Sequence, residues 1–259
     1  MSHSSHHAPP TSRIAALVLL AVGPLLWLLV GHGQPILQDR SYHVFADARS
    51  CLGIANFGNV ASNVLFLVAG LAGLRHTLLH HAGASRSWQV FFAGVAGVFA
   101  GSAYYHLAPN DSTLVWDRLP MTVAFMGLFA ALLGEHLGKR IETVLLIPAL
   151  LVGIGSVFWW QASGDLRIYI WVQATPLLLI PYLIAAFRGH YDRRHYLLYG
   201  AGCYLLAKVA EWLDFEIYSA TAATISGHSV KHLLAAAAVL CVLRMLQTRQ
   251  SLTPVASSQ

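Results

Sequence analysis

Hydrophobic residues occur in long runs that short polar segments separate. A helix that crosses a bilayer needs about 20 predominantly apolar residues. Eight stretches meet that requirement: 14–31, 57–79, 88–108, 119–138, 143–161, 168–187, 196–213 and 228–247. The segments between them are too short for a second, water-soluble domain. The pattern therefore predicts an all-α integral membrane protein with eight spans.

The composition supports the membrane interpretation. Of the 259 residues, 56% are apolar and 10% are charged, whereas an ordinary soluble domain has about 25% charged residues. So few charges do not cover a water-facing surface, which excludes a soluble monomer, and so apolar a chain would aggregate rather than stay disordered in water. The formal net charge of +5 then indicates orientation in the membrane rather than nucleic-acid binding.

The first apolar run has two interpretations. It follows a polar tail, residues 1–13, whose only cation is Arg13, as in a secretory signal peptide. However, 18 apolar residues are long for the core of a signal peptide, and no small-x-small cleavage site follows at 31–34. These features favour an additional N-terminal transmembrane helix at 14–31, followed by an outer loop at 32–56.

The cations predict the orientation of the spans, because cytoplasmic loops of membrane proteins carry an excess of Lys and Arg. If the N-terminus is inside, ten of them lie on the inner side and four lie on the outer side (Arg40, Arg49, Arg118 and Arg167). Both termini, including the tail 248–259, are then cytoplasmic. The short loops suggest a bacterial inner membrane.

Three histidines lie at span ends where ionisable groups are costly and usually functional. His106 ends the third span, while His228 and His232 begin the eighth on one helix face, because residues i and i+4 are neighbours on a helix. The predicted topology places all three at the outer membrane face. Asp117 precedes the fourth span at that same depth, and Ser102 lies one turn deeper than His106.

These residue types together favour hydrolytic chemistry. Three neutral imidazoles and an open fourth position are the ligand set of a catalytic zinc site, and zinc lowers the pKa of a bound water toward about 7. Asp117 is placed to take the proton of that water, and Ser102 to donate a hydrogen bond to an oxyanion. The pattern predicts a zinc hydrolase.

Two other functions fit the pattern less well than hydrolysis. A non-catalytic lipid or ligand receptor could keep zinc as a structural ion, but it would not need the carboxylate and the hydroxyl. A metal or proton transporter would need polar residues at mid-depth in several helices, whereas the polar set here lies at one outer end.

The same residues resemble the alkaline ceramidases, which belong to a superfamily of seven-helix membrane hydrolases that includes relatives of the adiponectin receptors. The resemblance rests on Ser-x3-His at 102–106, Asp117, His-x3-His at 228–232, and the stretch 53–63, where Asn59 and Ser62-Asn63 match the family's opening motif. It covers about residues 42–247. It implies a seven-helix hydrolase core at 57–247, to which the helix at 14–31 is an N-terminal addition.

The resemblance implies a zinc-dependent amidase that cleaves an N-acyl sphingoid base into a fatty acid and a free amine. His106, His228 and His232 would bind zinc, Asp117 would act on water, and Ser102 would support the transition state. The lipid substrate would enter from within the bilayer.

The family also implies a calcium site beside the zinc site, and here the sequence departs from the pattern. Asp47 is the acid that the preceding loop offers, and the position that starts the first core helix is the neutral Asn56. Calcium takes about six to eight oxygen ligands and favours carboxylates. The sequence therefore argues against calcium here.

Charged residues within the last two spans have two interpretations. Lys208, Glu211 and Asp214 follow one another at i, i+3 spacing, and Lys231 flanks the histidine pair. They form either an ion-pair network that braces the bundle or, for Glu211 and Lys231, a layer that supports the metal ligands from behind.

Overall fold

The computed structural model describes residues 10–81, 83 and 85–252. This part of the chain contains helices and no strand, and its eight long helices are α1 Thr11–Gly31, α2 Phe57–Leu79, α3 Ser85–Leu107, α4 Asp111–Leu137, α5 Lys139–Ser163, α6 Arg167–Ala186, α7 His195–Trp212 and α8 Gly227–Thr248. A turn at Asn63 interrupts α2, and a short helix, Asp214–Ala220, joins α7 to α8. Parts of both predicted tails, 1–9 and 253–259, lie outside the described residues.

Within the described residues, seven helices are long and apolar enough to cross a membrane, namely all of the eight except α7. Each of the eight predicted runs corresponds to one long helix. The helix α7 has 18 residues and carries Lys208 and Glu211, which lower its mean hydropathy. The chain is an integral, multi-pass membrane protein built as a helical bundle, which confirms the predicted fold class.

The helix α4 begins earlier than the apolar pattern predicts. The predicted span starts at 119, whereas the helix starts at Asp111 because Asn110 caps it: the Asn110 side chain accepts from the backbone N–H groups of Ser112 and Thr113. This capping box satisfies helix donors that would otherwise be unpaired. Asp117 therefore lies within the helix, nearly two turns from its start, and not before it.

The helix α4 is also the centre of the bundle, since two-thirds of its most apolar window is buried. It packs against α3 and α5. Glycines allow the close approach of α3 and α4: a Cβ atom at Gly94 would lie 2.6 Å from the backbone nitrogen of Ala124, and one at Gly127 would lie 2.7 Å from that of Phe91. Small residues of this kind bring membrane helices into backbone contact.

The additional helix α1 lies at the edge of the bundle, with 11% of its window buried, and packs against α6. Hydrogen bonds fasten the two helices at three levels. Tyr182 donates to the carbonyl of Arg13 at 2.9 Å, Trp171 donates to that of Ala21 at 2.6 Å, and Arg167 donates to the carbonyl of Leu29 at 3.2 Å. Arg167 thereby satisfies a carbonyl in the last, π-helical turn of α1.

Candidate active site

The three predicted histidines meet where the end of α3 faces the start of α8. All three are buried, and one nitrogen from each ring lies within 4.8 Å of the others. The ring centroids of His106 and His228 are 4.8 Å apart, and those of His228 and His232 are 5.0 Å apart. The helix spacing of the pair and the position of the end of α3 beside the start of α8 together form this cluster.

The donor set fits a metal ion. Two nitrogens bound at about 2.1 Å to one tetrahedral zinc ion are about 3.4 Å apart. The Nε2 atoms of His106 and His228 are 3.3 Å apart, which is close to that separation. Three imidazoles without a carboxylate ligand suit zinc better than calcium or magnesium, which prefer oxygen.

The contacts of Ser62 favour one tautomer of His232. The Ser62 hydroxyl lies 3.0 Å from the carbonyl of Asn59, which only accepts, and 2.7 Å from Nδ1 of His232. When the hydroxyl donates to Asn59, it accepts from Nδ1–H of His232. This arrangement leaves Nε2 of His232 unprotonated, as a metal ligand requires. In the sequence, Ser62 stands out only as part of the opening motif that the chain shares with the family, and the motif alone assigns it no function.

His228 is positioned by two contacts that the sequence analysis did not predict. The Asp214 carboxylate accepts from the backbone N–H of His228 at 2.7 Å and from that of Ala46 at 2.9 Å, so it joins the loop before α2 to the start of α8. Phe45 of the same loop packs its ring edge-on against His106 and His228, at centroid distances of 4.8 and 4.7 Å.

Ser102 and Asp117 form a pair beside the histidines. Both side chains are buried, and both line the same cavity. The neighbouring Gly101 permits the close approach of α3 and α4 here, because a Cβ atom there would collide with the carbonyl oxygen of Trp116. The sequence prediction named both residues of the pair, and the structure brings them together.

The pair lies on the wall of a cavity of about 410 Å³. His232, Lys231 and Glu211 share this wall, which continues into the bundle along apolar side chains that include Phe91, Val95, Val98, Leu128 and Val242. Residues of the loop after α1, among them Gln38, border the polar end of the cavity. The arrangement can hold the polar end of a long-chain molecule next to the histidines and its chain within the bundle.

Lys231 connects the metal cluster to an ion-pair network. Its ammonium nitrogen lies 2.8 Å from Nε2 of His228 and donates to Glu211 at 3.0 Å, and Glu211 is also paired with Lys208. The hydroxyl of Tyr42 donates to Glu211 at 3.3 Å, and burial raises the pKa of this tyrosine well above its ordinary value. Lys208, Glu211 and Lys231 therefore form one ion-pair network, and Asp214 instead contacts the backbone of Ala46 and His228. The role of this network stays a prediction.

The two positions considered for calcium have other contacts. Arg49 forms a bidentate ion pair with Asp47, at 2.7 and 2.8 Å, and holds the pKa of that carboxyl below its usual value. The side-chain amide of Asn56 donates to the backbone carbonyl of His106 at 2.7 Å. Asn56 thus supports the end of α3, and the absence of calcium stays a prediction.

Comparisons with known proteins give two matches. A protein-family model described as "Ceramidase" matches residues 50–257. The chain is also similar to an NADH-quinone oxidoreductase subunit from Koribacter versatilis (strain Ellin345), with 33% identity over 94 residues, which cover 33% of this chain and 18% of that protein. The chain spans less than a fifth of the curated relative that it matches.

Proposed function

The chain belongs to the ceramidase family, which confirms the resemblance seen in its motifs, and we propose that it is a zinc-dependent hydrolase of ceramide or a related N-acyl lipid. The reaction would cleave the amide bond and release a fatty acid and a free amine. Family membership supports an amide hydrolase acting on lipid. The observation that carries the finer proposal is the cluster of three buried histidines, of which His232 lines the same apolar cavity as Ser102 and Asp117.

We propose His106, His228 and His232 as the zinc ligands. Zinc binds the neutral form of an imidazole, and Ser62, 2.7 Å from Nδ1 of His232, would hold the tautomer that leaves Nε2 free for the metal. Bound zinc would supply a Lewis acid and make hydroxide available at neutral pH.

Asp117 would act as the general base and then as the general acid. Its carboxylate would take one proton from the attacking water while the water oxygen bonds to the amide carbon. When the C–N bond breaks, Asp117 would return that proton to the leaving nitrogen, so the amine leaves neutral and the acyl half leaves as the acid. Ser102, on the same cavity wall as Asp117, would donate to the carbonyl oxygen as negative charge develops.

The apolar wall of the cavity would exclude water from the rest of the substrate. Phe91, Val98 and Leu128 can bury a hydrocarbon chain, and each buried methylene contributes about 0.8 kcal/mol to binding. Integral membrane location agrees with a substrate that is itself dissolved in the bilayer. The orientation of the chain and the membrane in which it resides stay predictions.

The test is zinc analysis of the detergent-purified protein together with release of fatty acid from N-acyl sphingosine. His228→Ala should lose zinc and activity, whereas His80→Ala, which changes an exposed histidine outside the cluster, should retain both. Asp117→Asn should keep zinc and lose at least about a hundredfold in rate, the usual contribution of a general base.

Two results would decide against the proposal. If His228→Ala retains one equivalent of zinc and full activity, the metal assignment is wrong. If the wild-type protein holds zinc but releases no fatty acid from any N-acyl lipid tested, the alternative of a lipid or ligand receptor with a structural zinc replaces hydrolysis.

A further inference from the structure

The arginine that follows Asp117 is buried at the polar end of the cavity. Arg118 is 4% exposed and lines the cavity together with Gln38, Tyr42 and Tyr169. Its guanidinium lies over the ring of Trp160 at 3.9 Å and over that of Tyr169 at 4.6 Å. Aromatic faces therefore cover the guanidinium on two sides. Its contact with the side-chain amide of Gln38 orients its edge.

Arg118 has no ion-pair partner among the residues that the structure describes. Its Nη2 donates to the side-chain carbonyl of Gln38, a neutral group, and its buried Nη1 has no hydrogen-bond partner within the same part of the chain. The cavity lysines differ in this respect, since Lys208 and Lys231 are both paired with Glu211. At the same end of the bundle, Arg167 is paired with Asp165 at 2.7 Å.

Asp117 and Glu211 line the same cavity, but neither forms a direct ion pair with Arg118. A buried guanidinium without a direct ion pair is costly, because its lost hydration is not replaced by a carboxylate in contact. Contacts with aromatic faces offset part of this free-energy cost, but they leave the N–H groups at the edge of the guanidinium without hydrogen-bond acceptors. Those donors match the two oxygens of a carboxylate or phosphate, which arginine binds in a bidentate manner. The missing partner is an anion with oxygen acceptors.

The position of Arg118 indicates which part of a lipid would carry that anion. Leu128 lies ten residues further along α4 and borders the apolar part of the cavity, about 15 Å away at 1.5 Å per residue. A long acyl chain fits that apolar part. Arg118, adjacent to Asp117 and to the loop that contains Gln38, lies where the group on the other side of the amide would be held.

We propose that Arg118 is a specificity-determining residue, which binds a carboxylate or phosphate on the amine half of the amide lipid. The inference rests on the proposed function and narrows the substrate class to acidic N-acyl lipids whose anion lies close to the scissile amide. Gln38 is a positioning residue, because its carbonyl holds Nη2 and thereby orients the guanidinium.

The experiment compares N-acylglycine with N-acylethanolamine of the same acyl chain, two amides that differ in carrying a carboxylate or a hydroxyl. The readout is the ratio of their kcat/KM values. We expect the wild-type protein to favour the acidic lipid, and Arg118→Gln to lower the ratio at least tenfold. Gln38→Glu should also lower the ratio, because the new carboxylate would then form an ion pair with the Arg118 guanidinium in place of the substrate. Arg167→Gln, which changes a partly buried arginine outside the cavity, is the matched control and should retain the wild-type ratio.

Several outcomes would overturn the inference. If the wild-type protein cleaves the neutral lipid and not the acidic one, Arg118 has no such role while the hydrolase proposal stands. If Arg118→Gln lowers both values in proportion, the residue acts on folding alone. If the variants keep the wild-type ratio and lose only their inhibition by free fatty acid, then Arg118 binds the carboxylate of the product and not an anion on the substrate. Failure to cleave these amides and N-acyl sphingosine would instead remove the hydrolase proposal itself. Gln38→Glu keeps the test available if Arg118→Gln does not fold.

Discussion

Replacing Ser62 with alanine tests how the protein prepares His232 for metal binding. In the tautomer that leaves Nε2 free for the metal, the hydroxyl accepts from Nδ1–H of His232, 2.7 Å away, and donates to the carbonyl of Asn59 at 3.0 Å. Without it, the buried Nδ1–H loses its partner, which costs about 1–3 kcal/mol, and the ring is free to rotate or change tautomer. Groups that orient metal-binding histidines contribute about 10–100-fold in affinity, or about 1.4–2.8 kcal/mol at 1.4 kcal/mol per tenfold.

The assay is competition for zinc against a chelator of known affinity, with the protein in detergent. We expect Ser62→Ala to bind zinc about 10–100-fold more weakly. Ser156→Ala is the matched control, because Ser156 is also buried and donates to a backbone carbonyl, that of Gly153 at 2.6 Å, but lies on α5 away from the cluster. If Ser62→Ala binds zinc as tightly as the wild type, or if both variants lose affinity equally, the tautomer argument is refuted.

Three further predictions concern the supports of the site. Gly101→Ala should move Ser102 away from Asp117 and lower turnover at unchanged zinc content. Gly155→Ala, where a Cβ atom meets open space, should leave turnover intact. Equal losses of turnover in the two variants would contradict this prediction. Asp214→Asn should destabilise the fold by about 1.5–3 kcal/mol, because a buried charged acceptor is lost, and weaken zinc binding through His228; thermal unfolding and chelator competition would measure the two effects. Arg167 lowers the pKa of Asp165 in the folded protein below the ordinary value of 3.8. The ion pair therefore stabilises the fold fully above pH 3.8, and this stabilisation is lost as the pH falls through the lower pKa of the folded state. Asp165→Asn should remove that pH dependence from the unfolding curves, and a persistent dependence would show that other acids cause it.

The part of the site that the sequence predicted follows from regular helix geometry. His228 and His232 share a face because they are four residues apart on one helix, and the same spacing places Ser102 behind His106. The positive-inside rule and the alternation of spans then predicted that the ends of α3 and α8 share one depth. Each of these steps uses a local pattern or a repeat of the topology, and such signals are visible in a single sequence.

The supporting contacts could not be predicted in that way. Ser62 and His232 are 170 residues apart, and Arg118 and Gln38 are 80 residues apart, so no periodicity relates them. The start of α4 was also missed, because the apolar pattern begins at 119 while the capping box at Asn110 extends the helix beyond the apolar run. Hydropathy indicates where a helix is apolar, and capping decides where it begins.

The docking of α1 against α6 has a consequence for the order in which the protein is built. The hydrogen bond between Trp171 and Ala21 joins residues 150 positions apart, so at about 5–20 residues per second α1 is synthesised roughly 8–30 s before its partner. During that interval α1 must stay in the bilayer by itself, and its mean hydropathy of 2.5 is the highest of the seven spans. The loop that borders the polar end of the cavity is likewise anchored at Ile36 to Leu166 and Asp165. The cavity beside the histidines is therefore closed late in biosynthesis, only after α6 has emerged and joined the helix that was made first.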